Sequence, residues 1–343
     1  MKAVGYNHAG AADSLQALEQ PIPVASGRDL LVRVQAISVN PVDTKLRAGA
    51  SPAAGEYKVL GFDAVGVVHS VGADVTLFKP GDAVWYAGAI DRPGTNSEFH
   101  LVDERIVGRK PASLSAADAA ALPLTAITAW ELLFDRLQVP RVAAEKITSP
   151  ATLLVVGAAG GVGSILIQLA RRLTDLTVVG TASRPETCAW VMEMGAHHVI
   201  DHHQPMPAQL AQLALQAGGP LPPVHYVIGL SQTDRHFEQL VEILAPQGKL
   251  ALIDDPGPFD ARLLKRKSLS LHWELMFTRS LYQTDDMQVQ HALLNEVADL
   301  LDQGVLRTTV RQHLGLITAA NLGAAHGLLE SGRTIGKIVL EGF

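Results

Sequence analysis

The segment 153–164, LLVVGAAGGVGS, constrains the fold more than any other part of the chain. It is an apolar run that ends in a cluster of glycines, and a second apolar run, ILIQLA, follows directly. This order predicts a buried strand, a tight turn and a helix. The spacing Ala158-x-Gly160-x-x-Gly163 matches the fingerprint of dinucleotide-binding turns, with alanine at its first glycine position. A strand-to-helix turn without a ligand would have the same sequence, so the elements on either side must indicate whether this turn binds a dinucleotide.

Strands and helices alternate along the chain after residue 150. The sequence predicts strands over 152–157, 176–181, 198–200, 225–229 and 249–253, and helices near 162–173, 185–194, 207–217 and 233–244. Continuous apolar strands separated by helices indicate a parallel sheet covered on both faces, which is a doubly wound Rossmann α/β domain. A further helix is predicted over 269–282, where the segment 272–277 lines either a substrate pocket or a subunit interface.

The glycine turn lies between the first strand and the first helix of this domain, where such folds bind a pyrophosphate. Gly160 is predicted to let the backbone approach the ligand, and Gly163 to let the helix pack close to the strand. The free N–H groups at the helix start supply the anion site. The predicted cofactor-binding residues of this turn are Ala159, Gly160, Gly161, Val162 and Gly163.

The end of the second strand predicts which dinucleotide binds. Strand 176–181 is followed by Ala182-Ser183-Arg184, without the acidic residue that an NAD site usually carries there. Ser183 and Arg184 suit a 2′-phosphate through charge-assisted hydrogen bonds, so we predict NADPH as the cofactor. Ser183-x-x-Glu186 also matches a helix capping box, and Ser183 can cap while Arg184 reaches the phosphate.

Residues 1 to about 124 have a different sequence pattern from the α/β region. Short apolar runs rich in β-branched residues are separated by glycine and proline, which predicts a compact β-rich domain. Near its end, Ser115 is a predicted N-cap, and a longer helix is predicted over 125–137. The last strand-like segment, 332–340, either extends the parallel sheet or returns to the first domain.

Composition excludes several classes of protein. The chain has 343 residues, 48% of them apolar and 18% charged, as expected for two well-packed globular domains. A net charge of -6 argues against a nucleic-acid partner. The single cysteine, Cys188, excludes an intrachain disulfide and a zinc site built on several thiolates. We see neither a signal peptide nor a run of about 18 apolar residues, and we expect a cytoplasmic protein without a membrane partner.

The order of these features resembles the medium-chain dehydrogenase/reductases and, within them, the zinc-free quinone oxidoreductase branch. Besides the glycine turn, the segments that carry the resemblance are 38–43 (SVNPVD), 60–68 (LGFDAVGVV), 81–84 (GDAV) and 336–340 (GKIVL). The resemblance implies a GroES-like domain of residues 1–124 with 309–343 and a Rossmann domain of residues 125–308. It further implies an active site in the cleft between these domains, and a homodimer.

The zinc dehydrogenases of the same superfamily differ from this chain at their metal ligands. They carry a Cys-His pair where this chain has Asn40-Pro41, and Gly-His-Glu where it has Gly61-Phe62-Asp63. The resemblance therefore implies catalysis without zinc, and no metal site is predicted. The histidine-rich segment 196–203 is predicted to be structural or to lie beside the adenosine edge of the cofactor, because neighbouring strand residues face opposite ways.

Without a metal to polarise a substrate, NADPH hydride requires an acceptor that is already activated. Quinones and α,β-unsaturated carbonyl compounds meet this condition, since the conjugated oxygen takes up the charge. We therefore predict an NADPH-dependent quinone or enone oxidoreductase acting on a small molecule. An enoyl-thioester reductase, a non-catalytic NADPH-binding protein and a zinc alcohol dehydrogenase are the alternatives.

The candidate catalytic residues come from the first domain: Asn40, Asp43, Lys45 and Tyr57. Asn40 is predicted to bond the nicotinamide ribose or the substrate oxygen, or else to be only a turn residue before a proline. For Asp43, an ion pair with Lys45 or Arg47 is as good an explanation as a catalytic role. Lys45 either supplies a proton or only a positive field, and Tyr57 either lines the cleft or is an exposed loop residue.

Four further residues complete the predicted cofactor site. Thr128 is placed at the nicotinamide end, although a helical threonine commonly bonds its own backbone. Gly229 and Ile253 follow from the rule that ligands bind at the carboxyl ends of parallel strands. Lys337 is implied by the resemblance to reach a cofactor phosphate.

Overall fold

The computed structural model describes residues 1–142, 150–216 and 221–343 of the chain. It divides into two compact units, Met1–Ile127 with Met276–Phe343, and Thr128–Leu275. The first boundary lies close to the predicted one at 124, but the second differs from the predicted position at 308. The reason is that the segment after 276 packs on the first unit, where Arg109 N donates to Asn295 Oδ1 at 2.9 Å.

The N-terminal part of the first unit is rich in strands, as its glycine- and proline-punctuated apolar runs predict. It contains β1 (Lys2–Tyr6), β2 (Gln16–Glu19), β3 (Asp29–Ser38), α1 (Pro41–Gly49), β4 (Lys58–Val59), β5 (Asp63–Val71), β6 (Ala83–Ala87), β7 (Phe99–Asp103), β8 (Val107–Arg109), α2 (Ala116–Ala120) and α3 (Pro123–Trp130). Ser115 caps α2 as predicted, because its Oγ accepts the N–H of Asp118 at 3.0 Å. The helix predicted over 125–137 is α3 followed by a π-helical turn, Glu131–Arg136.

The second unit contains a six-stranded parallel sheet with the strand order β11-β10-β9-β12-β13-β14. Its elements are β9 (Thr152–Val156), α4 (Gly161–Leu173), β10 (Thr177–Thr181), α5 (Pro185–Glu193), β11 (His198–Ile200), α6 (Met206–Gln216), β12 (Val224–Gly229), α7 (Thr233–Ile243), β13 (Lys249–Leu252) and β14 (Ser270–Trp273). This is the doubly wound order of dinucleotide-binding folds. The predicted fold class is confirmed, and the predicted element ends agree to within one residue, except that residue 217 lies outside the described residues.

The predicted helix over 269–282 is wrong in its first half. Ser270–Trp273 forms β14, the sixth strand, which pairs in parallel with β13. Leu269, Leu271 and Trp273 alternate with polar residues, which is the period of a strand rather than of a helix. Only Thr278–Tyr282 is helical.

The C-terminal segment returns to the first unit. Its elements are α8 (Thr278–Tyr282), α9 (Val289–Asp302), β15 (Val310–His313), α10 (Ala319–Glu330) and β16 (Lys337–Glu341). Because β16 pairs antiparallel with β3, opposing Val339 to Ser38, the end of the chain joins a seven-stranded sheet. Six of its strands follow the order β15-β16-β3-β5-β6-β8, and the seventh, β7, pairs with β3. The sequence left open where the last strand lies, and this pairing decides it.

The described residues include one helical stretch, Ala116–Arg136, that is long and apolar enough by composition to cross a membrane. Within the protein, 89% of its most apolar window is buried. Burial of this extent is typical of a core helix, in which apolar side chains pack against other parts of the same chain.

Candidate functional site

The glycine turn joins β9 to α4 at the carboxyl edge of the parallel sheet. Gly157 has a φ of +80°, a left-handed conformation that favours glycine. A Cβ at this position would lie 2.8 Å from Ser231 Oγ, so the space is closed as well. Gly157, which the sequence analysis did not single out, therefore forms the tight bend just before the fingerprint residues Ala158, Gly160 and Gly163. The spacing of the turn is Gly157-x-x-Gly160-x-x-Gly163.

The other two glycines of the turn have different tasks. A Cβ on Gly163 would lie 2.6 Å from the carbonyl carbon and 2.7 Å from the Cα of Ala158, which are both backbone atoms. Helix α4 therefore packs directly on the turn, and only glycine permits this approach. A Cβ on Gly160 would meet only the Gly157 carbonyl oxygen, at 3.8 Å, so this face of the turn is open.

The start of α4 presents unbonded amides at the open face. Gly160 is its N-cap and provides no capping side chain, and the N–H of Ser164 is bonded to the Gly160 carbonyl at 3.0 Å. The N–H groups of Gly161, Val162 and Gly163 precede that bond and have no intrahelical acceptor. They point to the end of the helix where its dipole favours an anion. This turn fits the pyrophosphate of a dinucleotide.

The neighbouring strands hold the turn in place. Gly157 N donates to Thr181 Oγ1 at 3.1 Å, and Ala158 N donates to the Thr181 carbonyl at 3.3 Å. On the other side, Ile253 N donates to the Gly229 carbonyl at 3.3 Å, which places both residues at the carboxyl edge. The sequence analysis did not find Thr181, although a threonine at the end of an apolar strand is the available signal.

The two residues predicted to bind the 2′-phosphate lie between β10 and α5. The helix begins at Pro185 with Arg184 as its N-cap, and Thr187 Oγ1 accepts the Arg184 N–H at 3.1 Å. The predicted capping box of Ser183 and Glu186 is therefore wrong by one residue, because the proline fixes the first helical position. Glu186 instead lies 3.4 Å from the Arg184 guanidinium. Ser183 takes no part in the cap.

A buried polar cluster in the first unit joins residues that are distant in sequence. Lys337 Nζ lies 3.1 Å from Asp63 Oδ2 and also donates to Asn40 Oδ1 and to the Val39 carbonyl. Asn40 Nδ2 and Ser38 Oγ donate to the same Asp63 oxygen at 2.8 and 2.6 Å. Asp63 is 0% exposed and Lys337 is 4% exposed. The cluster ties β16 to β3 and β5.

The position of Lys337 differs from the one that the resemblance implies. Three acceptors engage the three N–H bonds of its ammonium, so the side chain has no further donor for a cofactor phosphate. Its charge is balanced by Asp63, whose other oxygen accepts the N–H of Leu124 at 2.7 Å. Lys337 is thus the cation of a buried ion pair.

Asp43 lies next to this cluster, in the first turn of α1. Its carboxylate accepts the backbone N–H of Asn40 at 2.8 Å and that of Gly61 at 3.0 Å. The alternative ion pair with Arg47 is wrong, since the Arg47 guanidinium bonds Glu330 instead. Asp43 therefore joins the start of α1 to the turn before β5.

Stability should depend on the protonation of Asp43. Burial raises its pKa from 3.8 to about 7, against the weaker opposing effect of two backbone N–H bonds. Between about pH 4 and pH 7 the folded protein keeps a proton that the unfolded chain releases, so this group lowers the free energy of unfolding as pH rises. We expect Asp43→Asn to reduce this fall. Urea unfolding of both proteins at pH 5 and 7.5 measures it, and equal pH dependence would contradict the prediction.

The remaining predicted residues lie outside the cluster. Lys45 is exposed on α1, and Tyr57 is 43% exposed in the loop before β4. Thr128 is buried in α3. The contacts of these residues with a ligand stay predictions. Ser38, which the sequence analysis did not single out, belongs to the cluster through its hydroxyl.

The residues present do not fit a catalytic zinc ion. Within 1–142, 150–216 and 221–343 there is no group of three or more histidine, cysteine, aspartate or glutamate side chains placed to hold a metal. Asp63 lies in segment 61–63, which the resemblance matches to a metal-ligand segment of the zinc dehydrogenases, and both of its oxygens accept bonds from N–H and O–H donors. One of these donors is the ammonium of Lys337, a cation already in place.

Comparison with known proteins identifies the family of the chain. The alcohol dehydrogenase GroES-like domain matches residues 26–112, and the zinc-binding dehydrogenase family matches residues 194–340. A zinc-type alcohol dehydrogenase-like protein of Staphylococcus epidermidis is 37% identical over 345 residues, which cover 99% of each chain. The chain therefore belongs to the medium-chain dehydrogenase/reductases, a family of oxidoreductases, as the sequence analysis predicted.

Two solved structures are similar over the whole length. A Rhizobium etli CFN 42 protein, provisionally assigned as a zinc-dependent alcohol dehydrogenase, is 54% identical with a TM-score of 0.94, over 100% of this chain and 98% of that one. Escherichia coli quinone oxidoreductase complexed with NADPH is 25% identical with a TM-score of 0.81, over 99% and 100% of the two chains. These similarities and the open glycine turn support a nicotinamide dinucleotide as the cofactor.

Proposed function

We propose that this protein is a zinc-independent oxidoreductase that uses NADPH to reduce quinones or α,β-unsaturated carbonyl compounds. The observation that carries the proposal is the buried Lys337–Asp63 ion pair. It occupies a segment where zinc dehydrogenases have metal ligands, so no metal is available to polarise the substrate oxygen. The acceptor must then be activated by its own conjugation.

NADPH supplies the hydride when it is bound, and the second unit contains groups suited to hold it. The N–H groups of Gly161, Val162 and Gly163 would bind the pyrophosphate. Ser183 and Arg184 would bind the 2′-phosphate, since a guanidinium recognises phosphate by charge-assisted hydrogen bonds. The similarity to a quinone oxidoreductase complexed with NADPH supports this choice of cofactor and of acceptor.

The predicted catalytic residues fall into two groups. Asn40 and Asp43 are each 1% exposed and are bonded within the cluster, so we propose that they position α1 and the adjoining turn. Lys45 and Tyr57 are exposed, and a substrate can reach them. We propose these two side chains as the ones that contact the acceptor.

Turnover and metal content together test the proposal. Purified protein is assayed for NADPH oxidation with a benzoquinone, an unsaturated ketone, an enoyl thioester and a simple aldehyde, and its zinc is quantified. We expect turnover with the first two substrates at far less than one zinc per chain, unchanged by a chelator. Stoichiometric zinc with reduction of the aldehyde alone would contradict the proposal. Preference for the thioester, or tight NADPH binding without any turnover, would favour one of the alternatives.

Arg184→Ala tests the choice of NADPH. Loss of a charged hydrogen bond to a phosphate costs about 1.5 to 3 kcal/mol, so NADPH should bind about tenfold to 100-fold more weakly. NADH lacks that phosphate, and its affinity should change less than about twofold. Calorimetric titration measures both. Arg262→Ala, which removes an 88%-exposed guanidinium, is the matched control. Equal loss for both cofactors would refute the 2′-phosphate role.

A further inference from the structure

Three histidine rings meet at the carboxyl edge of the parallel sheet in the second unit. His202 and His203 follow β11, and His236 lies in the first turn of α7. The ring centroids of His202 and His203 are 4.5 Å apart, and those of His202 and His236 are 6.0 Å apart. His203 is exposed and His202 is half-buried, so the cluster is open to a ligand on one side.

A single hydroxyl connects this histidine cluster to the glycine turn. Thr181 Oγ1 accepts the N–H of Gly157 at 3.1 Å, and the same oxygen lies 3.3 Å from His202 Nδ1. The ring of His202 is therefore oriented by the residue that also holds the phosphate-binding turn. An anion bound at the turn would have the histidine cluster as its neighbour.

The cluster also lies beside the residues assigned to the 2′-phosphate. Thr181 and Ile200 are paired on adjacent parallel strands, and Ala182 N donates to the Ile200 carbonyl at 3.0 Å. Ser183 and His202 each stand two residues beyond that pair. The segments that follow β10 and β11 therefore leave the same edge of the sheet next to each other.

One nitrogen of the cluster lacks a partner. His236 is only 8% exposed, and its Nδ1 is buried without a hydrogen bond in the described structure. A buried polar atom in this state is unfavourable, and an anionic acceptor would relieve it when the ring donates. This atom is an observation independent of the glycine turn, and protonation of the ring would make it a donor for an anion.

The charged groups around the cluster are mixed in sign. Asp201 precedes His202, and Asp234 and Arg235 precede His236 on α7, whose first residue, Thr233, donates to the Asp254 carboxylate at 2.7 and 2.9 Å. Asp201 and Glu186 both act on the Cys188 thiol of α5, and α6, which packs on β11, has no charged residue. Burial and neighbouring histidines lower the pKa of His202 and of His236. Without an anion, both rings are therefore mainly neutral at pH 7.

We propose that His202, His203 and His236 form a proton-dependent subsite for a phosphomonoester, the 2′-phosphate of NADPH. The inference rests on the proposed function and adds to it a specificity device that strengthens as the pH falls. The dianion favours protonated imidazole rings, so binding is coupled to the uptake of protons by the cluster. NADH has no phosphate at this position and takes up none there.

Calorimetric binding of NADPH and NADH at pH 8.5 and pH 6.5 tests the subsite without any turnover. We choose this range because a phosphomonoester itself titrates near pH 6. The preference for NADPH should rise about tenfold on going to pH 6.5, with proton uptake seen in buffers of different ionisation enthalpy. His202→Asn and the exposed His203→Asn should each flatten this rise and leave NADH binding unchanged. His225→Asn, at the amino end of β12, is the matched control and should keep it.

The possible outcomes separate this inference from the proposed function. Equal binding of NADPH and NADH at both pH values would overturn the NADPH assignment and the subsite together. A preference for NADPH that Arg184→Ala removes, but that neither pH nor the histidine variants change, would overturn the subsite alone. Because His203 is exposed, its variant keeps the test open if His202→Asn fails to fold.

Discussion

Gly163→Val is expected to abolish dinucleotide binding. The first added carbon would lie 2.6 Å from the carbonyl carbon of Ala158, and real Cβ atoms do not approach backbone so closely. Helix α4 must move off the turn to make room, which carries its first N–H groups away from the pyrophosphate. Loss of two phosphate hydrogen bonds, at about 1.5 kcal/mol or more each, weakens binding by at least about 100-fold. Overpacking should also lower the free energy of unfolding by about 1 to 3 kcal/mol.

Gly160→Ala is the matched control for this substitution. A methyl group there meets only one atom, at 3.8 Å, so the free energy of unfolding should stay within about 0.5 kcal/mol of that of the wild type. Because the methyl lies on the open face of the turn, NADPH should nevertheless bind more weakly. Urea unfolding and calorimetric titration of both variants separate packing from binding. A folded Gly163→Val protein with wild-type affinity would show that the turn does not hold the pyrophosphate.

The architecture of the second unit was predictable because most of its strands and helices are indicated by short, continuous stretches of sequence. The central strand β9 and its neighbours are mainly apolar runs, and each helix begins near a glycine, a proline or a polar residue; β14, which alternates apolar and polar residues, is the strand that was missed. Details that depend on one dihedral angle were not predictable. The tight bend at Gly157 rests on a φ of +80°, and the cap of α5 lies one residue later than predicted because Pro185 fixes the first helical position.

The cluster of the first unit could not be predicted from spacing. Lys337 and Asp63 are brought together by strand register, because β16 pairs with β3 and β3 pairs with β5. The sequence contains the motif of each segment. It does not show how the strands pair, and therefore does not show which side chains lie next to each other in the sheet. For this reason the sequence analysis assigned Lys337 to a phosphate, although its charge is used inside the unit.

The names of the relatives raise the question of whether this protein uses zinc, and the buried cluster of Lys337 and Asp63 bears on it. Similar proteins are described as zinc-type or zinc-dependent, and one of the two matching family descriptions also mentions zinc. Zinc chemistry needs an open position with several nitrogen, sulfur or carboxylate ligands. The cluster provides one carboxylate, Asp63, already neutralised by a lysine. The ion pair is therefore the place at which the proposed independence from zinc can be tested.

Lys337→Met is expected to be the most destabilising substitution in the first unit. Removal of one partner of a buried ion pair leaves the other charge uncompensated and typically costs about 3 to 5 kcal/mol. Asp63 would keep the donors Ser38, Asn40 and Leu124 N, but no cation. Urea unfolding at pH 7 measures the loss. Arg262→Met, which breaks an exposed pair with Asp260, should leave the free energy of unfolding nearly unchanged, because water screens exposed charges.

A second substitution shows whether charge or packing causes the loss. Asp63→Asn alone should be destabilising by a similar amount, because it leaves the Lys337 ammonium buried without its counter-ion. In the double variant with Lys337→Met both charges are gone, so it should be more stable than the sum of the single effects predicts. Additive losses would mean that the two groups do not compensate each other. Strong coupling would show that Lys337 compensates the charge of Asp63, as the proposed zinc-independent site requires.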